Sequence, residues 1–221
     1  MLKKILKNLK KKMKILKNRL GSKKRGRKIK TNYTLISNNC WAGLTYEYLD
    51  KEFISPTIGC YFMASDYLKF ISNLKYYMKC DLEFIETNES KYYEYLNSIG
   101  QSSVIIGKLD DVEIVFLHYS SFDEAYIKWN KRKERIDYEH IIYKFNDQNL
   151  CNEEDLKKFN ELNLENKICF TAKKYNYNGF IQLKKYKNKP FVKDDVYSYH
   201  KYFNIVKYIQ ARKDGSYGEE S

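Results

Sequence analysis

The sequence lacks the features that mark several common protein classes. No stretch approaches the roughly 18 consecutive apolar residues that a membrane-spanning helix requires. The basic start is not followed by an apolar run of about 7–15 residues, so we expect no secretory signal. The 5 cysteines form no Cys-x-x-Cys motif and the 3 histidines are widely separated. These spacings argue against a zinc cluster or a disulfide framework and favour a reducing cytoplasm, and we predict no metal and no cofactor.

Acidic residues are missing from the first 30 positions, which hold 15 of the 41 Lys and Arg residues. The other 191 residues carry 26 basic and 28 acidic groups, a net charge of −2. A pI near 9.3 is typical of nucleic-acid-binding proteins. Because the excess charge lies in one segment, nucleic acid is the less favoured partner here.

The basic segment has the pattern of an amphipathic helix. Apolar residues recur at helical spacing from Leu2 to Leu20, lysine fills most other positions, and Gly21 is the expected end of the helix. We expect residues 1–20 to bind an anionic membrane surface, at the inner face of the membrane, and residues 21–30 to form a flexible basic linker. A disordered start without a specific role and a nucleic-acid contact are the alternatives.

The remaining chain alternates strands and helices, which predicts a single three-layer α/β/α domain over residues 31–212 with a mainly parallel or mixed sheet. Residues 213–221 are expected to be disordered. Strands are predicted at Tyr33–Asn38, Leu82–Glu86, Val104–Ile106, Val112–Tyr119, His140–Phe145, Ile168–Ala172 and Phe180–Leu183. Helices are predicted from Asp66 to Lys79 with Ser65 as cap, at Tyr92–Ile99, after a Ser121/Glu124 capping box, after Asn152, and from Asp195 to Arg212.

Polar residues follow three of these strands, where α/β sheets bind ligands. The candidate substrate-binding residues at these exits are Ser37, Asn38, Asn39, Cys40, Trp41, Tyr119 and Asp147. The alternative is structural, with Asn38 and Asn39 capping a turn and Trp41 in the core. Gly43 follows, but no glycine-rich phosphate motif surrounds it.

Arginine is scarce, since lysine outnumbers it 35 to 6. Two of the three arginines beyond residue 30, Arg132 and Arg135, lie on the predicted helix after Ser121, where Phe122, Trp129 and Arg132 share a face. The guanidinium fork suits phosphate, so Trp129, Arg132 and Arg135 are candidate substrate contacts. A buried salt bridge that braces the helix explains the arginines equally well.

The sequence gives weaker support to a cysteine nucleophile and to a metal site. Cys40 is a possible nucleophile with His118 as its base, although a buried structural cysteine is more common. The pairs Asp110-Asp111 and Asp194-Asp195 resemble acidic pairs that hold a metal and a diphosphate, but a hairpin turn and a helix cap explain them. A divalent metal is therefore possible without being supported.

Several motifs resemble a known family when they are read together. They are Leu35–Gly43 (LISNNCWAG), Ser55–Gly59 (SPTIG), Phe62–Tyr67 (FMASDY), His118-Tyr119, Phe122–Ala125 (FDEA) and Trp129 followed by Arg132 and Arg135. The chain resembles the bacterial family called domain of unknown function nineteen-nineteen, from about residue 33 to 210. Ala42 departs from the glycine usual after the tryptophan.

The resemblance implies a three-layer α/β domain and a role in exopolysaccharide or capsule biosynthesis, but it carries over no catalytic residue. Together with this implied role, the polar strand exits, the paired arginines and the basic segment lead us to expect a small glycosyltransferase-like enzyme that uses a nucleotide sugar or a lipid-linked glycan. Arg132 and Arg135 would hold the phosphate, Asn38, Asn39 and Trp41 the sugar, and Asp66 or His118 would transfer the proton. The alternative is a non-catalytic partner that recruits or regulates a membrane polysaccharide complex. The pattern leaves the oligomeric state open.

Overall fold

A computed structural model of the chain describes residues 19–212. Residues 1–18, which make up most of the predicted membrane-binding helix, lie outside the described residues. The predicted disordered tail of residues 213–221 also lies outside them. The strands are β1 (Thr34–Ser37), β2 (Glu83–Ile85), β3 (Ile105–Leu109), β4 (Val112–Phe116), β5 (Ile141–Asn146), β6 (Lys167–Thr171) and β7 (Phe180–Gln182). The helices are α1 (residues 19–26), α2 (Trp41–Tyr48), α3 (Ala64–Ser72), α4 (Leu74–Tyr77), α5 (Tyr93–Ser98), α6 (Phe122–Lys133), α7 (Glu153–Glu161), α8 (Asp195–Ser198) and α9 (Ile205–Ala211). Three 3₁₀ turns lie at Thr87–Glu89, Lys184–Tyr186 and Tyr199–Lys201.

The strands divide between two sheets rather than forming one. A parallel sheet has the order β1-β5-β6-β7, and an antiparallel sheet has the order β2-β3-β4. In the parallel sheet, Leu35 lies opposite Ile142 and Phe145 opposite Cys169. The α/β class and the parallel sheet are therefore confirmed, and the β3–β4 hairpin turns at the predicted Asp110-Asp111.

Helices cover both faces of the parallel sheet, which confirms the three layers. Because strand side chains alternate between faces, Ile36 and Leu35 point into different cores. Ile36 and Phe145 pack with α3, α6 and α7. Leu35 and Phe170 pack with α2 and α9 on the opposite face.

Three predicted helix boundaries are wrong. α3 begins at Ala64, so Ser65 is not its cap, and the chain leaves helical geometry at Asn73 before α4. The predicted C-terminal helix is interrupted after Lys201 and resumes at Ile205, where Asn204 accepts from the Lys207 amide.

Two predicted N-caps are confirmed. Asn152 accepts from the Asp155 amide at 2.9 Å, and Asp155 returns the bond. Ser121 accepts from the Glu124 amide at 3.2 Å, but the Glu124 carboxylate bonds to Ser120 instead of closing the box.

The segment after residue 20 is structured where a flexible linker was expected. α1 continues through residue 26, past Gly21. The Arg25 guanidinium lies 3.6 Å from the centre of the Tyr48 ring, and its Nε donates to the Tyr48 carbonyl at 2.9 Å. Ile29 is 3% exposed and belongs to the α2 core. Over residues 19–212, no helix has both the length and the apolar composition needed to cross a bilayer.

Candidate functional site

A cavity of about 360 Å³ opens between α2, α6 and the chain that follows β4. Its walls come from α2, the loop before residue 60, the chain after β4, α6 and α8. The lining residues are Cys40, Gly43, Leu44, Glu47, Phe53, Ile58, Gly59, His118, Tyr119, Lys128, Arg132 and Tyr197. The structure thus brings together four residues singled out from the sequence: Cys40, His118, Tyr119 and Arg132.

The turn after β1 aims one face of α2 at this cavity. Ser37 Oγ accepts from the Ala42 amide at 3.2 Å, and Asn39 Oδ1 accepts from the Trp41 amide at 3.1 Å. These bonds satisfy amides that the first turn of a helix leaves unpaired. The helix then presents Cys40, Gly43, Leu44 and Glu47 to the cavity at i, i+3, i+4 and i+7 spacing.

Arg132 faces the cavity without a carboxylate partner among residues 19–212. Its Nη1 donates to Tyr119 Oη at 2.7 Å and to the Ile58 carbonyl at 3.4 Å. The guanidinium carbon lies 5.4 Å from the centre of the Phe53 ring. These contacts use one terminal nitrogen and no carboxylate, so no ion pair within residues 19–212 balances the charge of Arg132.

Arg135 has the structural role instead. Its Nη1 lies 2.5 Å from Glu52 Oε1 and donates to the Phe53 carbonyl at 3.2 Å. Arg135 therefore braces the loop beside the cavity and does not line it. The salt bridge predicted as the alternative is found for Arg135, but at the surface, because the Glu52 side chain is 71% exposed. The phosphate contact stays a prediction for Arg132.

Lys128 lies one helical turn before Arg132 and shares the cavity wall. It pairs with Glu124, and this contact, with bonds from Ser120, lowers the pKa of the Glu124 carboxyl to about 2. Lys128 is therefore a neutralised cation, whereas Arg132 is not.

Cys40 and His118 reach the same cavity, but the thiol is not activated. Burial raises the pKa of the Cys40 thiol to about 11, the negative charge of Asp195 adds to the shift, and Lys144 opposes it. At neutral pH the sulfur is a thiol rather than the nucleophilic thiolate.

The polar exits of β1 and β5 do converge, but into a closed network. The Lys144 ammonium pairs with Asp195 and donates to Asn39 Oδ1 at 2.9 Å. Asn38 donates to Asn146 at 2.7 Å, and Asn146 donates to Asp195 at 2.8 Å. Burial lowers the pKa of Lys144. All five side chains are buried, so Asn38 and Asn39 are not placed to touch a ligand in the cavity.

Asp147 is a loop brace rather than a cavity residue. Its carboxylate accepts from the Ala172 amide at 2.7 Å and from the Val192 amide at 2.8 Å. Burial raises the pKa of this carboxyl. Asp147 thereby joins the ends of β5 and β6 to the segment before α8.

Both tryptophans belong to the core. Trp41 packs on Phe170 and Tyr199, and Trp129 packs on Phe116, with both indoles fully buried. The buried face of α6 is narrower than predicted, because Phe122, which was placed on that face, is 45% exposed.

Asp66 does not line the cavity and contacts β4 instead. It accepts from the Glu113 amide and from Lys91 Nζ, both at 2.8 Å. These bonds tie α3 to the antiparallel sheet. A proton-transfer role for Asp66 at the cavity is not compatible with this position.

The two acidic pairs have structural partners. Asp110 accepts from Tyr76, and Asp111 accepts from Tyr77 and Lys69, each at 2.7 Å. Asp194 caps α8 and Asp195 pairs with Lys144. Within the described part of the chain, no group of three His, Cys, Asp or Glu residues is arranged to hold a metal.

The wall residues that sequence reasoning missed include Glu47, Phe53, Lys128 and Tyr197. Helical spacing was sufficient to find two of them, since Glu47 is seven residues after Cys40 and Lys128 is four before Arg132. Phe53 and Tyr197 reach the cavity only through tertiary contacts, so no local pattern identifies them.

A protein of Haemophilus influenzae (strain ATCC 51907 / DSM 11121 / KW20 / Rd), described as an uncharacterized protein, is similar to this chain. The two are 32% identical over 142 residues, which is 64% of this chain and 63% of the relative. The match therefore covers less than two thirds of the relative's length.

A family model matches a longer region, residues 11–216. The match begins inside the basic segment, which the motif resemblance left outside the family. It includes the whole described body and every residue that lines the cavity. Since the match covers most of the sequence, the chain belongs to the family described as Domain of unknown function (DUF1919).

Proposed function

We propose that the protein binds an activated sugar in the cavity, with Arg132 on the phosphoryl group. The observation that carries this proposal is the Arg132 guanidinium, which faces a cavity of about 360 Å³ with no carboxylate partner in the described chain. A planar guanidinium offers paired donors that match phosphate oxygens. A phosphate would supply the counter-charge that Arg132 lacks.

The other walls suit a sugar. Phe53, Tyr119 and Tyr197 offer aromatic surface, and the Glu47 carboxylate can accept bonds from hydroxyl groups. His118 is exposed in the same wall and stays our candidate for proton transfer. Binding sites of this size combine apolar walls with a few polar groups in the same way.

We propose, as the class of reaction, transfer of the sugar from a nucleotide or lipid carrier during exopolysaccharide or capsule biosynthesis. This part rests on the motif resemblance and on the suitability of the cavity for a phosphorylated sugar. The location at the inner face of the membrane rests on the basic pattern of residues 1–20.

A non-catalytic recruiting or regulatory partner is the second candidate. The protonated Cys40 thiol favours it, because the thiol that would act as nucleophile is not activated. Such a protein would bind no small molecule and would form a stable interaction with another assembly protein. Release of nucleotide or phosphate from a bound donor separates the two candidates.

A thermal-shift screen of the full chain tests the proposal. The ligands are nucleotide sugars, nucleoside diphosphates and sugar phosphates. A ligand at 100 times its dissociation constant adds about 2.7 kcal/mol of stability, which raises the melting temperature by roughly 5–10 °C. We expect such a shift with at least one sugar that carries a phosphate.

Two matched variants locate the contact. Arg132→Lys keeps the charge but removes the planar fork, so we expect the ligand to bind at least about tenfold more weakly. Arg135→Lys makes the same change at the residue that pairs with Glu52, and binding should be unchanged. Equal shifts in both variants would show that Arg132 does not hold the phosphate, and no shift with any compound would contradict the activated-sugar proposal.

A further inference from the structure

The segment between β7 and α8 carries a dense positive charge. We call residues 184–193 the lysine loop. Its sequence is KKYKNKPFVK, with no acidic residue. The five lysines, all exposed, are Lys184, Lys185, Lys187, Lys189 and Lys193.

These lysines are not neutralised within the fold. None of the five makes a salt bridge to a carboxylate in the described chain, whereas Lys69, Lys128 and Lys173 elsewhere each do. Lys185 Nζ lies 5.1 Å from the centre of the Tyr186 ring, which leaves its charge intact. The loop therefore presents five positive charges over ten residues.

The backbone of the lysine loop is firmly held. Leu183, Tyr186 and Val192 are buried. Asp147 accepts from the Val192 amide at 2.8 Å, and Gln148 donates to the Lys193 carbonyl at 2.8 Å. These buried side chains and hydrogen bonds hold the backbone of the loop in place, while its five lysines remain exposed.

A second basic segment lies against the same part of the fold. Residues 19–30 hold seven Lys and Arg residues and no acidic residue. Arg25 stacks on Tyr48, whose ring centre is 4.2 Å from that of His200. The Lys185 amide donates to Tyr202 Oη at 3.0 Å. Both basic segments therefore flank the short stretch from His200 to Tyr202, although more than 150 residues separate them.

Exposed aromatic side chains accompany the charge. Phe191, inside the loop, is 44% exposed, and Tyr197, just after it, is 71% exposed. Tyr197 also forms part of the cavity wall, so this surface continues to the cavity. Lysines beside exposed rings are typical of surfaces that bind the headgroup region of anionic bilayers.

We propose that the lysine loop, together with residues 19–30, docks the folded body on an anionic lipid bilayer, with Phe191 and Tyr197 at headgroup depth. The loop adds a folded contact to the amphipathic segment of residues 1–20. Docking there places the cavity beside the membrane, where a lipid-linked sugar is reached without leaving the bilayer. The proposal holds whichever ligand occupies the cavity.

Vesicle flotation of the full chain tests the proposal. One set of vesicles contains phosphatidylglycerol and phosphatidylcholine at about 30:70, and the other contains phosphatidylcholine alone. Each lysine near an anionic surface contributes about fivefold to binding, so removing three should weaken binding roughly a hundredfold. The test variant is Lys185→Gln, Lys187→Gln and Lys189→Gln together.

A control variant makes the same change of charge elsewhere. It combines Lys75→Gln, Lys79→Gln and Lys158→Gln, three exposed lysines on other surfaces. Its binding to the anionic vesicles should stay within about twofold of the native chain, which excludes an effect of net charge alone. Both triple variants should unfold at the native midpoint, because the replaced side chains are exposed.

Phe191→Ser tests whether the exposed ring of Phe191 contributes to vesicle binding. We expect weaker vesicle binding at high as well as low salt, because salt screens the lysines but not the ring. Equal binding by the two triple variants would overturn the proposal. It would also be overturned if the loop triple lost binding to an oligonucleotide while vesicle binding stayed native. The thermal shift with sugar phosphates should survive the loop substitutions, so failure here is distinct from failure of the proposed function.

Discussion

At the scale of single residues, the environment of each side chain separates groups that look alike in sequence. Arg132 and Arg135 are three positions apart on one helix, yet Arg135 pairs with Glu52 and Arg132 has no carboxylate partner in the described region. Residue type identified both as candidates. Only their neighbours show which one already has a carboxylate partner.

Cys40 allows a direct test at this scale. Burial and the nearby Asp195 charge disfavour the thiolate and raise the pKa of the thiol to about 11. We expect alkylation of Cys40 by iodoacetamide to be slow at pH 7 and to rise with a midpoint near the pKa of about 11. Mass spectrometry of the Cys40 peptide after short exposures at increasing pH measures this profile. A rate that reaches its plateau below pH 8 would instead indicate a nucleophilic thiolate.

At the scale of elements, the segment from Ser55 to Met63 joins the two sheets and shapes the cavity. The Tyr61 backbone exchanges two hydrogen bonds of 2.9 Å with Val115 in β4. The Phe62 amide donates to the Asn38 carbonyl at 3.0 Å, just after β1. This double attachment holds the end of β4, with His118 and Tyr119, over the start of α2.

Gly59 in this segment lies close to the Tyr119 ring. Its φ is +74°, and a Cβ there would lie 3.1 Å from the Tyr119 ring. We expect Gly59→Ala to destabilise the fold by roughly 2–3 kcal/mol, from the unfavourable φ and from displacement of Tyr119. Urea unfolding measures the change. The displacement should also weaken any ligand that binds at Arg132, because Tyr119 holds that side chain.

Gly100 is a matched control for Gly59→Ala. Its φ is +75°, but a Cβ there would meet nothing within 4 Å. Gly100→Ala should therefore cost only the conformational part, about 1 kcal/mol. Equal costs at the two positions would mean that the contact with Tyr119 does not constrain the loop.

At the scale of the whole molecule, one buried ion pair connects distant parts of the chain. Lys144 at the end of β5 pairs with Asp195 in α8, and both side chains are buried. Asp195 shares α8 with Tyr197, and it also influences the Cys40 thiol. The pair therefore fixes α8 over the sheet and positions one wall of the cavity.

Breaking this pair should be costly. Lys144→Met leaves the Asp195 carboxylate buried without its cation, and we expect a loss of about 3–5 kcal/mol in the free energy of unfolding. Adding Asp195→Asn removes the stranded charge and should recover at least about 1 kcal/mol. Urea unfolding of the single and double variants measures both effects.

A surface ion pair provides the control. Lys157→Met breaks the exposed contact with Glu161 and should change stability by less than about 0.5 kcal/mol. Two results would contradict this explanation. One is a loss of unfolding free energy in Lys144→Met no larger than in this control, and the other is no recovery of stability when Asp195→Asn is added.

Much of the fold could be predicted because its signals are local. Short apolar runs located β1 and β5, and Asn152 as a predicted cap located the start of α7. Breaks without a strong local signal, such as the one at Asn73, were missed because packing on neighbouring elements decides them. The division into two sheets depends on which strands pair, and strand pairing is a long-range choice.

The sequence by itself determined the α/β class, the scarcity of arginine and the concentration of positive charge near the start of the chain. Only the tertiary structure decided which polar residues reach the cavity. In the sequence, Asn38, Asn39 and Asp147 have the polar character expected of a binding site. In the fold, Asn38 and Asn39 belong to a closed hydrogen-bond network, and Asp147 holds a loop in place. The physical reason is that hydrogen-bond satisfaction and burial depend on partners far away in sequence, and a local pattern does not contain those partners.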